Sequence, residues 1–146
     1  MHEEHTEEQE LTYNEWGIPS VEVEMGEIER TARVLSPDNA PTQLEHILEA
    51  FESGMCVVLD DDMWARLENS DSWDVRPGHM EDAVGFAEES GRDAVKFEKS
   101  MRDNIPIPMP LIVIKKDGTP YKVAGNTRLM VARALGITPK VFVARL

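Results

Sequence analysis

Apolar and polar positions alternate, cluster and vanish along this chain in a way that divides it into segments. His2 to Glu10 contains five glutamates and no apolar residue. A segment that can bury nothing cannot offset its ordering entropy, so residues 1–10 are expected to be a disordered acidic tail. Val21-Glu22-Val23-Glu24-Met25 alternates apolar and acidic residues with period two, which predicts a half-buried strand. Ala32-Arg33-Val34-Leu35 predicts a second short extended piece before a turn at Ser36-Pro37-Asp38-Asn39. From Thr42 the period changes. Leu44, Ile47, Leu48 and Phe51 fall on one helical face, Thr42 and Glu45 make a capping-box pair, and Gly54 supplies the stop. Cys56-Val57-Val58-Leu59 is a continuous apolar run and predicts a buried strand, after which Asp60-Asp61-Asp62 can cap a short helix through Met63, Trp64 and Leu67.

Residues 69–78 are loop-like, and 81–103 predict a helical stretch bent near Gly91, with Ala83, Phe86, Ala87, Val95, Phe97 and Met101 facing inward. Three prolines keep the connector Ile105–Pro110 extended. The pattern beyond it is the clearest in the chain. Leu111–Ile114 predicts a strand, Asp117-Gly118 a turn, and Tyr121–Ala124 the antiparallel return. Gly125-Asn126 breaks that strand, Thr127–Leu135 predicts a helix stopped at Gly136, and Lys140–Val143 predicts a last strand. The expected architecture is α/β (α+β): a small mixed sheet with packed helices. It forms a single domain over 11–146, with a helical insertion at 60–103 and a core motif at 105–146.

Charge adds a second division. The net charge is −13, which argues against a protein that coats nucleic acid non-specifically. Residues 1–100 hold 26 acids against 7 Lys and Arg, a balance of −19, whereas residues 101–146 hold 2 against 8, a balance of +6. Two readings follow: the two parts neutralise each other across an internal interface, or the basic part attracts an anion at one place. Both can hold together. No apolar stretch approaches a membrane span, no signal-peptide core is present, and a lone Cys56 allows no intrachain disulfide. The expected location is therefore cytoplasmic, with no membrane partner.

The strongest candidate for chemistry is the strand-to-helix turn Gly125-Asn126-Thr127-Arg128. A helix N-terminus presents unpaired N–H groups and a partial positive charge, which favour an anion. Gly125 permits a positive φ or close backbone approach. Asn126 and Thr127 can cap the helix or donate to a ligand. Arg128 lies in the first helical turn, where the dipole disfavours a cation, so it requires an anion in front of it. A bound phosphate gripped bidentately is one answer, and a Glu or Asp from the acidic part of the chain is the other.

These residues also carry a resemblance. Pro110–Val113, Tyr121-Lys122-Val123-Ala124-Gly125-Asn126-Thr127-Arg128-Leu129, Ala132-Arg133-Ala134-Leu135-Gly136-Ile137 and Val141-Phe142-Val143 resemble the ParB/sulfiredoxin superfamily in order and type. The helix before the connector, Phe97–Arg102, resembles the one preceding that strand in the family. The resemblance does not extend to residues 1–95. It implies that nucleotide phosphates rest on the Gly125–Arg128 turn, with a nucleoside triphosphate or diphosphate and Mg²⁺ as cofactors.

The branches of the superfamily differ at this turn. Sulfiredoxins place a reactive cysteine where this chain has Asn126, and Cys56 is expected in a buried strand, so that activity is excluded. DNA-clamp members show Gly-Glu-Arg-Arg, and their first arginine is missing here. The form nearest to Gly125-Asn126-Thr127-Arg128 is that of the serine-kinase-like branch, with Ala124 in place of its Asp and Asn126 in place of its His. That branch also takes a base from an N-terminal glutamate, for which Glu22, Glu24, Glu27 and Glu29 are candidates beside their plainer reading as solvated acids. The implied activity is an NTPase or small phosphotransferase acting on a nucleotide and a small-molecule acceptor. The alternatives are a non-catalytic regulatory or interaction protein that meets a basic protein partner, and a DNA-associated nuclease or accessory factor.

Other residues carry weaker signals. Asp60, Asp61, Asp62, Asp71 and Asp74 have the hard oxygens that Mg²⁺ takes, but a capped, solvated acidic loop explains them as well. Trp64 and Trp73 are more simply packing residues than base-stacking platforms. His79 fits a helix start as well as an acid/base role. His2 and His5 belong to the tail, and Lys115 and Lys116 are expected to face water.

Overall fold

The computed structural model describes residues 12–68 and 94–146, and every structural statement below concerns these residues. The elements run in the order β1 (Trp16–Gly17), α1 (Met25–Leu35), α2 (Ala40–Glu52), β2 (Met55–Val58), α3 (Asp61–Arg66) and α4 (Ala94–Arg102). They continue with β3 (Ile107–Pro108), β4 (Leu111–Ile114), β5 (Pro120–Ala124), α5 (Asn126–Ala134) and β6 (Lys140–Arg145). This is an α+β arrangement with small mixed sheets, as the pattern predicted.

The larger sheet has the order β2-β6-β4-β5. β4 and β5 pair antiparallel, with Ile114 opposite Pro120 and Leu111 opposite Ala124, and the hairpin turns at Gly118 with φ +89°. β6 pairs parallel with β4, so the chain must cross over between them, and α5 makes that crossing. Strand side chains point alternately to opposite faces. Ile112 and Ile114 therefore join one core with Leu129, Met130, Val141 and Met101, while Leu111 and Val113 join the other with Ile28, Ile47, Phe51 and Val123. β4 is buried on both faces, which is why it reads as an unbroken apolar run. α1 and α2 cover one face of the sheet, and α5 lies on the other with α4 packed over it. Asn126 to Ala132 are all buried, as a helix enclosed between sheet and α4 requires.

The connector before β4 is extended as expected, and its hydrogen bonds are shared out between neighbours. The Ile107 and Met109 N–H groups donate to the carbonyls of Glu15 (3.2 Å) and Gly17 (2.9 Å), forming the parallel pair β1–β3. The Tyr13 hydroxyl donates to the Ile105 carbonyl at 2.6 Å, and burial pushes its pKa up to about 12.

Several sequence expectations are corrected. Residues 21–24 form a turn, not a strand, leading into α1, whose first residue is Met25, and Ala32–Leu35 is the last turn of that helix. The misleading residues are Val23 and Val34, which are 80% and 47% exposed and pack on neither core. α2 starts at Ala40, two residues before the expected Thr42 cap, with Pro41 in its first turn and no side-chain cap bond. Its inward face is as predicted, with Ile47 and Phe51 buried. Gly54 ends it without a left-handed φ; a Cβ there would lie 2.5 Å from the Phe142 ring, so close packing is what requires glycine. β2 is a strand, but it pairs only with β6 and is largely exposed, and Cys56 is an exposed free thiol rather than a buried one. Asp60 caps α3 as expected, accepting from the Met63 N–H at 2.8 Å.

Of the expected helical insertion at 60–103, α3 and α4 are described; Asn69 to Arg92 and Asp93, with Asp71, Trp73, Asp74, His79, Ala83, Phe86 and Ala87, lie outside the described residues, as does the tail with His2 and His5. α4 turns Phe97 and Met101 inward as its sequence suggested, but not Val95. Ala94 and Met101 are buried and Phe97 packs beside them, but Val95 is 58% exposed. Met101→Ala is therefore expected to cost about 2–5 kcal/mol through the cavity it leaves. Val95→Ala should change stability by less than about 0.5 kcal/mol. Urea unfolding of the two variants checks this, and a reversed ranking would mean α4 is docked on its other face.

Candidate functional site

The Gly125–Arg128 turn forms where β5 runs into α5. Gly125 is the N-cap residue and has φ +107°, a conformation that L side chains rarely adopt. A Cβ at this position would also lie 2.6 Å from Pro110 Cβ and 3.0 Å from Pro110 Cα. Glycine is thus required twice, once by backbone geometry and once by the approach of the connector. α5 starts at Asn126, so Asn126 is its first helical residue and not its cap. Its side chain is fully buried, and neither amide atom has a hydrogen-bond partner. The expectation that Asn126 caps the helix is not met.

Arg128 is 7% exposed, and the chain already supplies the anion that its place on the helix calls for. Its Nη2 donates to Glu24 Oε2 at 2.8 Å, and its Nη1 donates to the Pro108 carbonyl at 2.9 Å. Glu24 is the residue before α1, placed there by the turn from Ser20. The ion pair links residues 104 apart in sequence and joins the acidic part of the chain to the basic part. The internal-neutralisation reading of the charge pattern therefore holds at this point.

The pair lies in the wall of a cleft of about 670 Å³ between α1, α4 and the β5–α5 turn. Glu24 lines it from just before α1 and Glu27 from α1, Gly125, Thr127 and Arg128 from the turn, and Lys96 and Lys122 from α4 and β5. The sequence-predicted residues are thus brought together in part. Gly125, Thr127, Arg128, Glu24 and Glu27 share the cleft, whereas Asn126, Glu22 and Glu29 are not among its lining residues, and the two glutamates are exposed.

Lys96 and Lys122 were not anticipated. A signal for Lys122 does exist. In Pro120-Tyr121-Lys122-Val123-Ala124 it occupies the face opposite Tyr121 and Val123 in a strand buried throughout, and it is only 4% exposed. Lys96 belongs to a segment read as an insertion remote from the turn, and nothing in its local sequence marks it.

The weaker candidates resolve into structural roles. Asp62 pairs with Arg66 (3.1 Å) and Asp61 lies 3.8 Å from Arg133. Trp64 is a core residue with the Arg133 guanidinium 5.3 Å above its ring. Cys56 is exposed on β2, the strand at the far edge of the sheet from β5, so it stands apart from the turn. Among the described residues no group of three or more His, Cys, Asp or Glu could hold a metal ion, and no helix is long and apolar enough to cross a membrane.

No protein-family model matches the chain, and neither a curated protein nor a solved structure matches it.

The double requirement at Gly125 makes a firm prediction. Gly125→Ala must both strain φ and displace Pro110, at an expected cost of roughly 2 kcal/mol or more. Gly26→Ala, where nothing lies within 4 Å of the new Cβ, is the contrasting substitution and should be tolerated. Thermal unfolding of both variants gives the comparison; equal midpoints would contradict the close approach of turn and connector.

Proposed function

We propose that the cleft at the N-terminus of α5 binds the phosphate groups of a nucleotide, and that the protein is an NTPase or small phosphotransferase of the ParB/sulfiredoxin type. The observation that carries this reading is the composition of the cleft wall. A glycine turn with φ +107° opens a helix beside three cationic side chains, Arg128, Lys96 and Lys122, with the carboxylates of Glu24 and Glu27 opposite. Cations, helix N–H groups and nearby acids are the parts that phosphoryl transfer uses, because its catalysis is mainly positioning and charge neutralisation.

In this proposal a phosphate takes the place of the Glu24 carboxylate on Arg128 Nη2, while the Pro108 carbonyl keeps the guanidinium aimed into the cleft. Thr127 and the first N–H groups of α5 complete the cradle. Glu24, once released, is available with Glu27 to hold Mg²⁺ or to orient an acceptor hydroxyl. Mg²⁺ commonly binds through one or two carboxylates plus substrate phosphates, so a preformed metal cage is not needed.

A second reading is favoured by one specific observation: Arg128 already has its anion without any ligand. On that reading the protein is a non-catalytic regulatory or interaction protein, and the Arg128–Glu24 pair only holds α1 against the domain.

Binding separates the two. A nucleoside triphosphate with Mg²⁺, at ~100 times its Kd, is expected to stabilise the protein by about 2.7 kcal/mol in a thermal-shift panel. Glu24→Gln removes a competing anion and should tighten that binding, whereas Lys96→Ala should weaken it about tenfold, roughly 1.4 kcal/mol by calorimetry. Arg128→Ala is a poorer probe because it leaves a largely buried carboxylate and carbonyl unpaired, at a stability cost of about 2–4 kcal/mol. If no di- or triphosphate shifts the midpoint and Glu24→Gln creates no binding, the interaction-protein reading stands instead.

A further inference from the structure

A larger cleft, of about 1120 Å³, opens at the other end of the sheet. Lys115 follows the last residue of β4, and Arg145 is the last of β6, so the cleft lies at the carboxyl ends of the parallel pair. Gly125 is at the opposite end of the same hairpin, because Ala124 pairs with the first residue of β4. Binding crevices in open sheets form characteristically beyond the carboxyl ends of parallel strands.

Three kinds of group meet there. The apolar wall comes from Val34 and Leu35 at the end of α1, from Ala50 of α2, and from Val57 and Val143. The cations are Lys115, Lys116 and Arg145, with His46 beside them, in a chain whose net charge is −13. Lys115 is pinned by Glu68 at 3.0 Å, which raises its pKa and fixes its position. Lys116 and Arg145 have no ion-pair partner among the described residues. Among the side chains that line the cleft Glu49 is the one carboxylate, which leaves the cationic side chains in excess.

The third group is Tyr121. It is 5% exposed, lines the cleft, and its hydroxyl is buried with no hydrogen-bond partner. Leaving a buried hydroxyl unpaired is costly, and a phenylalanine would fill the same space. A ligand oxygen would satisfy it.

We propose that this cleft is a second ligand site, for a small organic acid with an apolar body and one anionic end. The apolar wall takes the body, Arg145 and Lys116 take the charge, and the Tyr121 hydroxyl donates to an oxygen of the acid group. The site is independent of the phosphate cleft and does not rest on it.

Three probes dissect the chemistry: octanoate carries body and charge, octanol the body alone, and acetate the charge alone. Amide correlation spectra of the protein titrated with each give both affinity and location. Octanoate is expected to produce saturable shifts at Lys115, Tyr121 and Arg145, with the Gly125–Arg128 turn unmoved. Octanol and acetate should bind about tenfold or more weakly. Arg145→Glu should weaken octanoate by about tenfold as well. Tyr121→Phe should weaken it too while leaving the thermal midpoint of the free protein unchanged or higher, since no existing hydrogen bond is lost. The proposal is overturned by shifts that never saturate, by equal affinity for the three probes, by shifts centred on the Gly125 turn, or by an Arg145→Glu variant that binds as the parent does.

Discussion

The guanidinium of Arg128 is the point at which three distant parts of this chain are tied together. It belongs to α5, donates to the Glu24 carboxylate just before α1, and donates to a carbonyl of the proline-rich connector. Its side chain is 9% exposed and that of Glu24 is 16% exposed, so the pair is screened only weakly by solvent. Taking one partner away from such a pair costs more than the pair contributes, because a desolvated charge is left behind. This contact joins the acidic part of the sequence to the basic part. It also meets the demand that a cation in the first turn of a helix makes for an anion.

The rest of the site follows from how tightly the connector and the turn are fitted. Prolines remove N–H groups from the connector at alternate positions; the Ile107 and Met109 donors go to Glu15 and Gly17, and the Pro108 and Pro110 carbonyls are left for Arg128 and for the Phe142 N–H. Gly125 is pressed against Pro110, which fixes where α5 begins and therefore where its N-terminal N–H groups point. β4, buried on both faces, is the rigid reference to which both the hairpin and the crossover are attached.

The C-terminal third was legible because each local signal agreed with the others: alternation, an Asp-Gly turn, prolines, and glycines at the turn and helix stop. Gly125 and Gly136 both have positive φ, as the pattern asked. Legibility failed where a short pattern had two physical explanations. The alternation at Val21–Met25 spans too few residues to separate a strand from a helix entry, and Val23 owes its place to neither. The apolar run at β2 suggested a buried strand, yet β2 is a largely exposed edge strand, and its local sequence does not tell whether other elements cover it. For the site, the turn and two of four glutamates were readable from sequence. Lys96 was not, because only tertiary packing brings α4 to the turn.

On the proposed function the partner of Arg128 is exchangeable, with the Glu24 carboxylate holding the place of a ligand phosphate. A crystal structure with a non-hydrolysable nucleoside triphosphate and Mg²⁺ tests it most directly. The account predicts phosphate oxygens at the N-terminus of α5 within hydrogen-bond distance of Arg128 Nη2, with Glu24 turned away and Lys96 and Lys122 drawn toward the added charge. A structure in which Arg128 still grips Glu24 and the nucleotide is bound elsewhere, or not at all, would contradict it.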